Sequence, residues 1–335
     1  MEPGILGVIA NPASGKDIRR LIAHAAVVSD AARRGILRRL LIGAAAAGAR
    51  RVHYLPGPHR LVEDALDGLD LPLEAEALPV DFTGSALDTR SAARLLRERG
   101  AAAVVVLGGD GTCRAAAAVW PGLPILPLST GTNNVFPFAC EPTVAGLAAG
   151  LVAAGRVPLD DAASRRPRIH VEVEGEPPDI ALVDAALVTD RFTGARAVWK
   201  PAELTAVLLL RSDPAVTGLA AIGGMLGLPV PEGAALAIDL GEPGRVVRVP
   251  LAPGLVVPVA VRGHRPVPFG EPVEWCGPGI LALDGERERR LLPGQRARVV
   301  AFPDGPLVLE PGRILARAAA ARLFIEVPCG AAHAD

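Results

Sequence analysis

The sequence predicts an α/β protein in two parts: a parallel sheet covered by helices, then a β-rich, sandwich-like half. Three observations carry this expectation. Short apolar runs alternate with helical segments up to Gly155, and after it strand-like runs follow one another between proline and glycine clusters. Hydrophobic residues make up 50% of the chain, mostly Ala, Val and Leu, against 3% aromatics. Small and branched aliphatic side chains of this kind fill a parallel sheet packed between helices. The expected parts are residues 1–155, residues 156–314, and a C-terminal helix and tail over 315–335 that could return to the first part.

The elements follow in order. Ile5 to Ala10 is an apolar run that ends at the breaker Asn11-Pro12, so it reads as a buried strand. A helix is expected to start near Ser14 to Lys16, and another runs from Ala31 to Ala47. Arg51 to Leu55 is the next strand, His59 to Leu69 a short helix, and Leu73 to Phe82 extended chain. Asp88 or Thr89 is expected to cap a helix over Ser91 to Arg99 that stops at Gly100. Ala101 to Leu107 and Pro124 to Leu128 are buried strands, with a helix from Arg114 to Val119 between them and another from Val144 to Ala154 after them.

The second half reads as strands over Arg168 to Glu174, Ile180 to Thr189, Leu204 to Leu210, Ala235 to Leu240, Val246 to Val261, Val273 to Leu283 and Arg296 to Phe302. Pro214 to Leu226 is the helical candidate among them, and Leu315 to Leu323 is helical again. This spacing suggests an antiparallel sandwich or a strongly curved sheet.

Composition narrows the function classes. A net charge of −1 with scattered arginines argues against a nucleic-acid or anionic-membrane surface. Cys113, Cys140, Cys276 and Cys329 form no C-x-x-C pair and read as free thiols of a reducing compartment. The six histidines have no metal-ligand spacing, so no metal held by side chains is expected. Without a visible secretory signal or a spanning segment, the expected location is cytoplasmic. Asp160-Asp161 reads as a solvated connector, and Arg287 to Arg290 as a solvated hairpin tip.

Three loops carry candidate chemistry, and each follows a strand of the first part. Ligands of open parallel sheets bind beyond the carboxyl ends of the strands, so such loops can converge. In Asn11-Pro12-Ala13-Ser14-Gly15-Lys16 a small glycine turn can offer backbone N–H groups to a phosphate and Lys16 a positive charge; a plain strand-to-helix turn is the alternative. Gly108-Gly109-Asp110-Gly111-Thr112 follows an apolar strand. Its glycines permit close approach and positive φ, and the helix after it points its positive end at the same place. Asp110 is either a base for a hydroxyl, a Mg²⁺-linked group, or a helix cap. Ser129-Thr130-Gly131-Thr132-Asn133-Asn134 offers small polar groups suited to ribose hydroxyls and a base edge, or to capping the next helix.

Leu107 to Thr112, followed after a helix by Leu126-Pro127-Leu128-Ser129-Thr130-Gly131-Thr132-Asn133-Asn134, resembles the NAD-kinase and diacylglycerol-kinase superfamily. Asn11 to Arg20, with Thr130 to Pro137 and Thr143-Val144-Ala145-Gly146-Leu147, resembles the ATP-NAD kinases grouped with acetoin-catabolism protein X. In the second half Leu281 to Glu286 is similar to a late Asp-Gly turn of these kinases. The resemblance implies an NAD-kinase-like fold and phosphorylation of the 2′-hydroxyl of the adenosine ribose of NAD. ATP, or polyphosphate, is the implied donor, with Mg²⁺ held through the phosphates. It implies Asp110 as the catalytic carboxylate. Asn11, Ser14, Gly15, Lys16, Gly108, Gly109, Gly111 and Thr112 would lie against phosphates, and Thr130, Gly131, Thr132, Asn133 and Asn134 against the acceptor. The expected partners are small-molecule nucleotides, in a homo-oligomer, with no nucleic acid and no membrane.

Two departures bear on the acceptor. Where such kinases carry an Asn-Glu pair, this chain reads Ala181-Leu182-Val183-Asp184-Ala185-Ala186, and only Asp184 could substitute. Where they carry Gly-Ser-Thr-Ala-Tyr, it reads Thr193-Gly194-Ala195-Arg196-Ala197. Alternatives therefore stand beside the dinucleotide kinase: a lipid or sphingoid kinase, or a nucleotide-binding regulator linked to acetoin catabolism that has lost catalysis.

Overall fold

The computed structural model describes residues 4–11, 28–130, 134–189 and 201–325, with the backbone alone at 287 and 288. The helix expected near Ser14 lies outside these residues. Strand β1 (Ile5–Ala10) is buried throughout. It is followed in the described chain by α1 (Asp30–Ala46), whose first turn is capped by the Ser29 hydroxyl, 3.2 Å from the Ala32 amide. Next come β2 (Arg51–Tyr54), α2 (Leu61–Leu66), β3 (Glu74–Ala77), α3 (Ala86–Glu98), β4 (Ala101–Gly108), α4 (Asp110–Val119), β5 (Pro124–Ser129) and α5 (Pro142–Ala153).

Helix α3 starts earlier than the sequence suggested, and Ser85 is its cap. Asp88 lies inside the first turn and reaches back to the amides of Thr83 at 2.9 Å and Gly84 at 2.8 Å. Ser85 followed three residues later by an acid has the sequence pattern of a capping box, but here Ser85 takes the Leu87 amide and Asp88 the two amides ahead of the cap. Helix α4 likewise begins at Asp110 itself, four residues ahead of the expected start.

A short helix, α6 (Leu159–Ala162), leads into β6 (Ala163–Arg165), and β17 (Leu307–Leu309) and α8 (Pro311–Ala320) close the described chain. Among the described residues the first sheet has seven strands in the order β3-β2-β1-β4-β5-β17-β6. All its neighbours are parallel except β17 and β6. The sheet thus draws β6 and β17 from outside the first 155 residues, and α8 packs Ile314 and Ala318 into the first core. Asp161, expected in a solvated connector, lies on α6 and pairs with Arg317 of α8 at 2.8 Å.

The second half folds as β7 (Arg168–Val173), β8 (Asp179–Ala181), β9 (Asp184–Val188), β10 (Leu204–Leu209), α7 (Ala220–Met225), β11 (Ala234–Ala252), β12 (Leu255–Pro268), β13 (Pro272–Cys276), β14 (Gly279–Leu283), β15 (Glu286–Leu291) and β16 (Arg296–Phe302). A six-stranded antiparallel sheet, β12-β11-β10-β9-β14-β15, faces a four-stranded one, β13-β16-β7-β8. Ile169, Val171, Leu208, Leu281 and Val299 from the two sheets share one core, which makes the pair a sandwich. Three predicted strands are each two. The run from Val246 to Val261 turns at Gly254, with φ +76°, and joins the long hairpin β11-β12. The runs from Ile180 and Val273 each break where the chain leaves the four-stranded sheet for the six-stranded one. The predicted helix from Pro214 shrinks to α7, and the Arg287 to Arg290 run lies along β15.

Helices α1 and α5 meet through glycine. A Cβ on Gly146 would lie 2.0 Å from the Leu40 carbonyl oxygen, and one on Gly43 2.3 Å from that of Thr143. Backbone against backbone leaves no room for even one methyl group. Among the described residues no helix is long and apolar enough to cross a membrane. Gly146→Ala is expected to cost about 1–3 kcal/mol in urea unfolding. Gly35→Ala, on α1 with open space around the added methyl, should instead stabilise by roughly 0.5–1 kcal/mol. Equal stability of the Gly146 variant and the parent would contradict this packing.

Candidate active site

In the first sheet β1 connects outward to β2 and β3 on one side, while β4 and β5 lie on the other. The order reverses between β1 and β4, and the crevice of such a sheet opens beyond the carboxyl ends of those two strands. Asn11 ends β1 there, and its Nδ2 donates to Thr112 Oγ1 at 3.0 Å. The first and second motif loops are therefore in direct contact. Ser14, Gly15 and Lys16 of the first loop lie outside the described residues.

The glycines of the second loop serve closeness. None of Gly108, Gly109 and Gly111 has a positive φ, and Gly109 is extended at φ −107°, so the expected left-handed backbone is absent here. A Cβ on Gly108 would instead meet the Thr112 side chain at 2.7 Å. Only a bare Cα lets Thr112 fold back over the strand end to take the Asn11 amide. Gly111 faces the second half, since a Cβ there would lie 3.4 Å from the Glu286 carboxylate.

Asp110 opens α4 and is buried. Its Oδ1 accepts from the Phe136 amide at 2.8 Å and from the Val135 amide at 3.1 Å, and Oδ2 also lies 3.1 Å from the Val135 amide. It thus holds the loop after β5, which the sequence reading had as the third motif, rather than capping its own helix. The Thr130 amide donates to the Gly108 carbonyl at 3.1 Å, and the Asn134 side chain donates to Ser129. Gly131, Thr132 and Asn133 lie outside the described residues.

Asp184 is buried at the start of β9, and its Oδ1 accepts from the Gly285 amide at 3.1 Å. Its partner across the sheet is Asp284, in the turn between β14 and β15 at φ +52°. Residues 182–184 cross between the two sheets, where the ladder offers no acceptors. The Asp284 carboxylate takes the amides of Val183 at 2.8 Å, Leu182 at 2.9 Å and Asp184 at 3.3 Å.

The sequence reading passed over Arg114, one turn along α4 from Asp110. Its side chain is buried, with Nε 3.5 Å from Asp284 and Nη1 3.5 Å from Asp179. Arg90 on α3 and Arg289 on β15 also approach Asp179, at 3.7 and 3.5 Å. The pairs made by Arg114 and Arg90 join helices of the first sheet to the sandwich, while Arg289 pairs within it. An arginine at i+4 from the motif aspartate was the one available signal. Among the described residues no group of three or more His, Cys, Asp or Glu is placed to hold a metal ion.

Comparison with known proteins agrees with this architecture. Residues 50–157 match the ATP-NAD kinase N-terminal domain, and residues 167–304 the acetoin catabolism protein X C-terminal domain. The structure of yeast NADH kinase complexed with NADH superposes with a TM-score of 0.52 at 12% identity, covering 98% of this chain and 90% of that one. A diacylglycerol kinase from Bacillus anthracis is a looser likeness, with a TM-score of 0.43, 12% identity and coverage of 92% and 98%. Match and superposition together define a chain with the NAD-kinase fold, whose residues 50–157 are similar to an ATP-NAD kinase N-terminal domain. Acetoin catabolism protein X of Cupriavidus necator is 40% identical over 322 residues, 88% of this chain and 87% of that protein. The chain belongs to the acetoin catabolism protein X family.

Burial pushes the Asp284 carboxyl up from 3.8 to about 6, against the pull of Arg114 and the three amides. Between those two values the folded chain binds this proton more readily than the unfolded one. The group's contribution to stability is therefore largest below about pH 4 and is lost as the pH rises through about 6. Urea unfolding of the parent and Asp284→Asn from pH 4 to 7 should show the parent losing roughly 2–3 kcal/mol relative to the variant. A pH-independent difference would contradict it.

Proposed function

We propose that the chain is a kinase that transfers a phosphoryl group from MgATP, or from polyphosphate, to the 2′-hydroxyl of the adenosine ribose of NAD, giving NADP. The observation that carries this reading is the fixed Asp110 carboxylate. It sits beside the β1–β4 crevice, at the helix start where a phosphate is favoured, and is held by amides of the loop after β5. A carboxylate can accept from more than two donors, so these amides fix it without excluding a substrate hydroxyl.

In this reaction the ribose oxygen attacks the γ-phosphorus, the bond to the ADP oxygen breaks, and the hydroxyl proton passes to Asp110. Magnesium travels with the ATP phosphates and offsets their charge. Phosphoryl transfer asks a protein mainly for positioning and charge stabilisation. The contact between Asn11 and Thr112 supplies positioning by tying the β1 loop to the phosphate loop. Asn134 and Asp184 are assigned to the acceptor.

A second reading has one observation in its favour. Part of the Asp184 carboxylate is engaged by the Gly285 amide, which weakens it as a substitute for the Asn-Glu pair and favours a regulator that binds nucleotide without transfer.

Incubating the purified chain with MgATP and NAD separates the two. The kinase reading expects NADP, and a fall of about 10²-fold or more in turnover for Asp110→Asn. The substitution can leave the loop in place, because Oδ1 already accepts from both amides. Tight binding of both nucleotides by the parent with no NADP formed would establish the regulator instead.

A further inference from the structure

We propose that Arg211 is a positioning residue through which the sandwich sets the Asp110 carboxylate, acting by way of the single peptide group between Val135 and Phe136. For turnover the inference rests on the kinase reading; for structure it stands alone. Arg211 lies just past β10, and its Nη1 donates to the Val135 carbonyl at 2.7 Å. That carbonyl and the Phe136 N–H belong to one peptide group, and the N–H donates to Asp110 Oδ1 at 2.8 Å. A guanidinium, one planar peptide and the Asp110 carboxylate are thus connected in series.

The series has a physical consequence. A cation at a carbonyl oxygen draws electron density along the amide and makes its N–H a better donor. The N–H of Phe136 therefore holds Asp110 more firmly while Arg211 is in place. The planarity of the peptide transmits orientation as well, because rotating the carbonyl moves the N–H with it.

Arg211 is itself aimed. Its Nη2 donates to Asp213 Oδ2 at 2.7 Å, and Asp213 Oδ1 accepts from the Ala215 amide at 2.8 Å. The Ala215 amide and then Arg211 hold the Asp213 carboxyl below its usual range. The Arg211 side chain is 50% exposed, so the ion pair adds little to stability and its effect is directional. Val135 is also gripped by its side chain, which packs with Val183 and Ala220 of the second half. The loop that orients Asp110 thus takes its own position from the sandwich.

The test uses the full chain with Arg211→Met, which removes the donors, and Arg211→Lys, which keeps the charge without the two-armed geometry. Amide hydrogen exchange is followed by NMR at Phe136 without substrate, with Val105 of β4 as reference. A merely destabilised protein loses protection at both amides, so the ratio is the readout. Arg211→Met should speed exchange at Phe136 about tenfold relative to Val105, with the lysine variant between it and the parent. With MgATP and NAD, kcat should fall about tenfold while KM for ATP stays within about twofold. An unchanged exchange ratio in folded variants overturns the proposal, and so does an unchanged kcat in an active enzyme. If the parent makes no NADP, the kinase reading fails and the exchange ratio alone decides the role of Arg211; if Arg211→Met does not fold, the lysine variant decides by the same ratio.

Discussion

The site depends on one buried carboxylate accepting the amides of a loop from the neighbouring strand. A carboxylate buried without donors is costly, and a loop with unsatisfied amides beside it is costly too. Bringing Asp110 to Val135 and Phe136 removes both costs together. The helix after β4 and the loop after β5 become a single object, and the crevice at the β1–β4 reversal acquires a fixed floor. Asn11 ties the β1 loop to this object through Thr112.

A second carboxylate repeats the device in the sandwich. Where the chain leaves one sheet for the other, Asp284 takes the three amides that no strand can pair. Arg114 approaches Asp284 from α4, so the helix that starts at Asp110 is tied at one end to the loop and a turn later to the sheet crossing. Buried ion pairs of this sort are weak sources of stability but demand a particular geometry. Here that geometry is the relative placement of the helix start and the sandwich, which also governs how near Glu286 comes to Gly111.

Much of this was legible in the chain. The apolar runs that became β1, β4 and β5 are buried on both faces, so their composition alone marked them as central parallel strands. The motif loops fell at strand ends because glycine and proline stop a strand there. The sandwich was legible as a class but not in its strand ends. A continuous apolar run does not reveal a crossing between sheets, since residues on either side of the break are equally buried. The crossing at residues 182–184 depends on Asp284, a hundred positions away, and no local pattern encodes that bond. Arg114 and Arg211 were missed for the same reason, as arginines in a chain full of them. The positive φ expected of the glycines around Asp110 is not used: at Gly108 and Gly111 the missing side chain serves close packing instead.

The stretch from Ala181 to Ala186 departs from the motif that the NAD-kinase resemblance implies, whereas Gly108 to Thr112 is intact in sequence. On the proposed kinase function, phosphates bind at the start of α4, beyond the carboxyl ends of β1 and β4. A crystal structure of the chain soaked with magnesium and a non-hydrolysable ATP analogue tests it most directly. Phosphate oxygens are expected within hydrogen-bond distance of the backbone amides between Gly109 and Thr112. Phosphates bound instead at the opposite end of the strands, in the cavity lined by Arg50, Arg51 and Glu74, would contradict it.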